Sequence, residues 1–180
     1  MSHRLFVAIR PPEPVRDALI DLMEGVSDVR WQDDDQLHLT LRYIGETDRH
    51  RANELAGALA AVEFAPFPIA IDGTAFFERK GRAHTLYADI DPNPELLSLR
   101  KRVERVCVQC GCEPEHRKYA PHITIARLNA SSGSLTPFLG RTSEFKLAPW
   151  ICDAFRLYES HLRPGGSLYE PVMTYPAAKQ

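Results

Sequence analysis

The chain has 180 residues, 44% of them hydrophobic, and a formal net charge of −2. That length favours one domain, and the composition is sufficient for a packed core. The near-neutral charge argues against a protein that coats nucleic acid non-specifically, which needs a strong basic excess, so any RNA contact is expected at one end or edge of a strand.

In chain order, Arg4–Ile9 is an apolar, β-leaning run stopped by Pro11 and Pro12, predicting a strand and a turn. It is too short for a signal-peptide core, and no stretch approaches the apolar length needed to cross a bilayer. A soluble, cytoplasmic protein with no membrane partner is expected. From Pro14, the positions Val15, Ala18, Leu19, Leu22 and Met23 recur at helical spacing, with Gly25 as the stop. Leu37–Ile44 alternates as a half-buried strand should, and Gly45 is expected to end it. A second helix is predicted from Asp48 to Val62. Two strands, Pro68–Phe77 and Ala83–Ile90, flank the charged tip Glu78-Arg79-Lys80-Gly81-Arg82. A third helix carries Leu96, Leu99, Val103 and Val106 and stops near Gly111. Tyr119–Leu128 is another alternating strand, and Ser131–Gly140 is a loop or short helix. Lys146–Tyr158 and Ser167–Thr174 form a closing hairpin across Arg163-Pro164-Gly165-Gly166.

Helices mixed with antiparallel strands in this order predict an α+β fold. Each half carries a helix and a strand bearing His-x-Thr, so two similar lobes facing one cleft are expected. No linker is visible, and residues 1–180 read as a single two-lobed domain.

His38-Leu39-Thr40-Leu41 and His122-Ile123-Thr124-Ile125 are the informative residues. Side chains alternate along a strand, so each histidine shares a face with its threonine and each aliphatic pair faces the other way. Two such strands on one cleft surround a small anionic group with two imidazoles and two hydroxyls. Unperturbed imidazole titrates at about 6.5, so near neutral pH one ring can take a proton from water while the other donates to a leaving oxygen. The hydroxyls can donate to non-bridging phosphate oxygens, where charge accumulates. Arg127 can add charge there, but it lies three residues beyond Thr124 and needs a bend to reach the same face. Random placement gives roughly 0.3 His-x-Thr matches per chain, and apolar flanks lower that to the order of 0.1, so a pair is informative where one copy is weak.

The two motifs, 122 − 38 = 84 residues apart, resemble those of the two-histidine (2H) phosphoesterase superfamily. The chain is most similar to its LigT-like branch, the RNA 2′,3′-cyclic phosphodiesterases once named 2′-5′ RNA ligases. The opening Arg4–Ile9 with its Pro-rich turn, Leu37–Leu41 with Ile44-Gly45-Glu46, Tyr119–Arg127, and Phe155–Ser160 with the turn to Tyr169 carry the likeness over nearly the whole chain. The resemblance implies a bilobal, pseudo-symmetric fold: two antiparallel sheets line a central cleft, and helices lie outside. It implies hydrolysis of a terminal 2′,3′-cyclic phosphate on RNA to a 2′-phosphate, without metal or cofactor, with His38 as the acid and His122 as the base. Sequence chemistry alone leaves that order open. Ala120 departs from members that carry another histidine before the Pro-His pair.

Phe6, Tyr43 and Tyr119 are candidate platforms for the terminal base, since base–aromatic stacking contributes about 1–3 kcal/mol. Core packing competes with this reading and is favoured for Phe6. Arg79, Lys80 and Arg82 suit either RNA phosphates or a solvated tip. Cys107, Cys110, Cys112 and His116 have an irregular spacing that argues against a zinc site. The cysteines are expected to be free thiols, because the pattern is no disulfide framework. Two further readings stay open: 2′-5′ ligation by the reverse geometry, and RNA-end binding without turnover. Nothing in the sequence demands more than a monomer.

Overall fold

The computed structural model describes residues 1–179. It is α+β, with strands β1 (Ser2–Ile9), β2 (Val29–Trp31), β3 (Leu39–Asp48), β4 (Phe67–Ile69), β5 (Ile71–Arg79), β6 (Arg82–Ile90), β7 (His122–Leu128), β8 (Trp150–Cys152), β9 (Ala154–Arg163) and β10 (Gly166–Pro176). Its helices are α1 (Glu13–Ile20), α2 (Arg49–Ala58), α3 (Pro94–Gln109) and α4 (Thr136–Thr142). Eight strands form one antiparallel sheet in two halves. One half runs β10-β9-β1-β3; the other runs β7-β6-β5, with β2 on the free part of β7. A single pair, Leu39 opposite Ile123, joins them. Strands β4 and β8 form a separate two-stranded ribbon.

The alternation of the strands decides where the core lies. Leu5, Val7 and Ile9 of β1, Leu39 and Leu41 of β3, and Ile123 and Ile125 of β7 are buried against Leu55 of α2 and Leu96, Leu99, Val103 and Cys107 of α3. A smaller cluster sets Leu86 and Ala126 against Phe138 of α4. With the helices on that side, the opposite face of the sheet is free to form a cleft.

Several boundaries differ from expectation. Gly45 does not end β3. It adopts φ +86°, a conformation open to glycine, and the register shift at Ile44 lets the strand run on as a bulge to Asp48. Helix α1 stops at Ile20 instead of reaching Met23, because Leu22 and Met23 bond back to Leu19 and Ile20 in tightened turns. Strand β7 begins at His122 instead of Tyr119, since Pro121 has no N–H to give a ladder. Strand β2 was unanticipated, because three residues carry no readable period. The expected strand Lys146–Tyr158 divides into β8 and β9.

One buried ion pair braces the cleft wall. Arg42, only 6% exposed, bonds Glu104 of α3 at 2.6 Å and also donates to the Glu113 carbonyl. Glu104 in turn accepts the Glu115 N–H at 2.9 Å. Replacing Glu104 with alanine strands a buried guanidinium, and such losses cost about 3–5 kcal/mol. A corresponding fall in urea-unfolding stability is expected; a change within about 0.5 kcal/mol would show that the pair does not brace the fold.

Candidate active site

The Leu39–Ile123 pair is the local centre of the site. Both side chains point into the core, so the residues flanking them point into the cleft: His38 and Thr40 from one half, His122 and Thr124 from the other. In an antiparallel pair these groups meet crosswise. Diagonal neighbours in such a pair lie about 7–8 Å apart at the backbone.

Both histidines sit at strand entrances, His38 one residue before β3 and His122 first in β7. At each, the chain folds back so that Nδ1 meets the carbonyl two residues earlier. The His38 partner is Gln36 O at 2.7 Å, and the His122 partner is Ala120 O at 2.7 Å. A carbonyl only accepts, so Nδ1–H donates and Nε2 is left as the acceptor nitrogen of each ring. The service at residue 120 is a backbone one, which alanine supplies as well as any residue. A 3₁₀ turn, Asp34–Gln36, sets the approach to His38. It is capped reciprocally by Asp33 and Gln36 and held by Arg10, which donates to the Asp34 and Leu37 carbonyls.

Each imidazole rests between a phenylalanine and a tyrosine. His38 lies 4.9 Å from Phe6 and 5.1 Å from Tyr169 between ring centres; His122 lies 4.8 Å from Phe77 and 5.2 Å from Tyr87. Burial depresses both pKa values. His38 falls to about 4, with the nearby charges of Arg127, His122 and Arg10 adding to the effect; the hydrogen bond to Gln36 opposes it. His122 is lowered by desolvation and by Arg127, against support from the Ala120 carbonyl and Asp89. Burial therefore disfavours the protonated form of both rings in the free protein.

The bend that Arg127 requires is present, and its counterpart occurs in the other motif. Thr124 lies opposite Tyr87 and Ala126 opposite Leu86, so Ile125 is an extra residue. Thr40 lies opposite Ala8 and Arg42 opposite Val7, so Leu41 is extra in the same way. The fourth residue of each motif is thus a buried bulge that reverses strand parity beyond it. The fifth residue after each histidine, Tyr43 or Arg127, consequently turns to the cleft face. Arg127 bonds Thr85 Oγ1 at 3.2 Å and acts on both imidazoles. Tyr43 is 52% exposed and lines the same cavity as His122.

The remaining candidates separate. Phe6 is 4% exposed, stacked on Tyr158 and lying beneath His38. Packed against Tyr158, Tyr169 and His38, it supports the imidazole, which is the core-packing reading favoured for it over that of a base platform. Tyr119 is a half-buried wall whose hydroxyl donates to Thr40 O at 2.8 Å. Phe77, Tyr87 and Tyr169 were missed as contacts of the histidines. Only strand register brings them there, although Tyr169 lay in a segment that carried the resemblance. Cys107 and Cys110 are buried free thiols, and burial pushes Cys107 up to about 12. No helix among the described residues is long and apolar enough to cross a membrane.

Two pseudo-equivalent strands, each presenting an imidazole and a hydroxyl to a shared cleft, define a two-histidine phosphoesterase architecture. The comparisons agree: the 2′-5′ RNA ligase superfamily matches residues 5–163, and the chain belongs to that family. An RNA 2′,3′-cyclic phosphodiesterase of Thermus thermophilus is 32% identical over 177 residues, covering 92% of this chain and 86% of the relative. One from Aeropyrum pernix is 29% identical over 149 residues, covering 81% and 85%. Among solved structures, E. coli LigT complexed with 3′-AMP superposes with a TM-score of 0.81 over 99% of this chain and 100% of that one, at 22% identity. A solved structure from Thermus thermophilus gives 0.77 over 96% and 97%, at 26% identity.

Proposed function

We propose that the chain hydrolyses a terminal 2′,3′-cyclic phosphate on RNA to a 2′-phosphate by acid–base catalysis between His38 and His122. The supporting observation is the paired geometry: two rings oriented alike by backbone carbonyls, each with Nε2 available and a threonine beside it. In this reading His122 takes a proton from the attacking water, and His38 gives one to O3′ as the P–O3′ bond breaks. Thr40, Thr124 and Arg127 stabilise the charge gathering on the non-bridging oxygens. Acid and base are both supplied by side chains, so no metal or cofactor enters the reaction. Carriage of the RNA end in the cleft fits the relatives' names, and a monomer contains every group the reaction uses.

The opposite order has an observation in its favour. His38 is held at about 4 while His122 has Asp89 nearby, so the first proton taken up by the pair favours His122. That would leave His38 as the base.

Incubating the protein with a dinucleotide ending in a 2′,3′-cyclic phosphate, in excess EDTA, is the direct test. Phosphorus NMR is expected to give a 2′-monophosphate. A 3′-phosphate, a ligated product in excess, or loss of turnover on chelation each removes the reading.

The pH profile has a defined sign. The competent pair carries one proton, and depressed imidazoles bind it only at acid pH. The alkaline limb of kcat/KM, which reports the free enzyme, is expected below about pH 6.5, the unperturbed imidazole value. The limb of kcat is expected higher, because a bound phosphate anion favours the protonated ring. An alkaline limb of kcat/KM above about pH 7 would contradict the burial argument.

A further inference from the structure

The cleft does not end at the histidines. From His122 and Thr40 it continues as a cavity of about 450 Å³ between Tyr43, the β5–β6 hairpin and the segment after α3. Arg100 lies in its wall, half-buried, with the guanidinium carbon 5.3 Å from the centre of the Tyr119 ring. Its Nε is fully buried and has no hydrogen-bond partner among the described residues. Among the described residues no carboxylate pairs with Arg100, whereas the neighbouring Arg42 and Arg117 are paired with Glu104 and Glu115. Lys118 and His84 line the same cavity, and Glu78 is the carboxylate there without an arginine partner. The Nε itself is closed to solvent, but Arg100 lines the cavity and makes no ion pair among the described residues, so its guanidinium is available to an anion there.

We infer that Arg100 binds a second phosphate, the phosphodiester on the 5′ side of the terminal nucleotide, making the enzyme selective for oligonucleotides over mononucleoside cyclic phosphates. The inference rests on the hydrolase reading above. The terminal nucleoside spans from the histidines, where its cyclic phosphate reacts, into a cavity within the usual size range for a small ligand. Arg127 serves the first phosphate and Arg100 the next, each being a cleft guanidinium with no carboxylate partner among the described residues. Tyr119 positions Arg100 by stacking, and the Tyr119 hydroxyl bond to Thr40 O ties this seat to the first motif. Arg100 touches no reacting atom, so it sets specificity and does not act in catalysis.

The test compares a mononucleoside 2′,3′-cyclic phosphate with the matching dinucleotide, and with a dinucleotide whose internucleotide linkage is an uncharged methylphosphonate. Wild-type kcat/KM is expected to be at least about tenfold higher for the charged dinucleotide than for the other two, the order of one charge-assisted contact. In Arg100→Gln that advantage is expected to disappear while mononucleotide turnover is retained, with Arg100→Lys recovering part of it. The slope of log(kcat/KM) against log[salt] for the dinucleotide is expected to shrink by about 0.7, as for one lost phosphate contact on a single strand. A purely structural arginine would lower all three substrates together and leave the slope unchanged, and that outcome overturns the inference. Equal wild-type rates on the charged and methylphosphonate dinucleotides overturn it without any variant, should Arg100→Gln fail to fold. Those two outcomes leave the hydrolase reading standing. Wild-type turnover of none of the three removes that reading and this inference with it.

Discussion

Replacing His38 or His122 with alanine is expected to lower kcat by about 10²–10⁴, the usual effect of losing a general acid or base. Each ring is half-buried at a strand entrance, and neither belongs to the aliphatic core, so both variants should remain folded by circular dichroism and thermal melting. The effects are expected to be non-additive, because a base without its acid leaves most of the barrier in place. A substrate with sulfur replacing the bridging O3′ separates the two roles. A thiolate departs without a proton, since thiols are far more acidic than alcohols. If His38 is the donor, the sulfur substrate rescues His38→Ala and leaves His122→Ala impaired. Rescue of His122→Ala instead would establish the reverse order favoured by the depressed pKa of His38. Wild-type turnover in either variant on the oxygen substrate would remove the mechanism.

Replacing Arg127 with alanine is expected to reduce kcat/KM by about 10²–10³, the range for removing one donor aimed at developing charge. A second consequence follows from the same side chain. Arg127 lowers the pKa of both histidines, so its removal should raise both and move the kcat/KM optimum toward alkaline pH. Rate and pH optimum therefore change together. Arg127→Lys should keep much of the pH profile and recover only part of the rate, since a lysine lacks the planar fork that spans two phosphate oxygens. A rate loss with no movement of the profile would mean that Arg127 acts away from the imidazoles.

Much of this site was legible because strand periodicity is a local property. The repeat of imidazole, aliphatic and hydroxyl specifies a face wherever the strand ends up, and the second copy makes chance an inadequate explanation. The Arg127 problem was also legible: counting residues showed that it needed a bend. What could not be read was that the bend lies at Ile125, or that Leu41 repeats it and turns Tyr43 inward. A bulge is a mismatch between two strands, so its signal is divided between segments far apart in sequence. Phe6 shows the converse. An aromatic beside an RNA site suits stacking on a base or packing beneath a histidine, and only the occupants of its two faces decide.

The sequence by itself determined the order of the long strands and helices, the aliphatic core faces and the two histidine–threonine pairs, since all of these follow from the spacing of side chains along one strand or helix. The tertiary structure alone decided that Leu39 meets Ile123, that Nδ1 of both rings is taken by a backbone carbonyl, and that burial disfavours their charged forms. Strand pairing, tautomer and desolvation depend on neighbours brought together by folding, and no local pattern records which neighbours those will be.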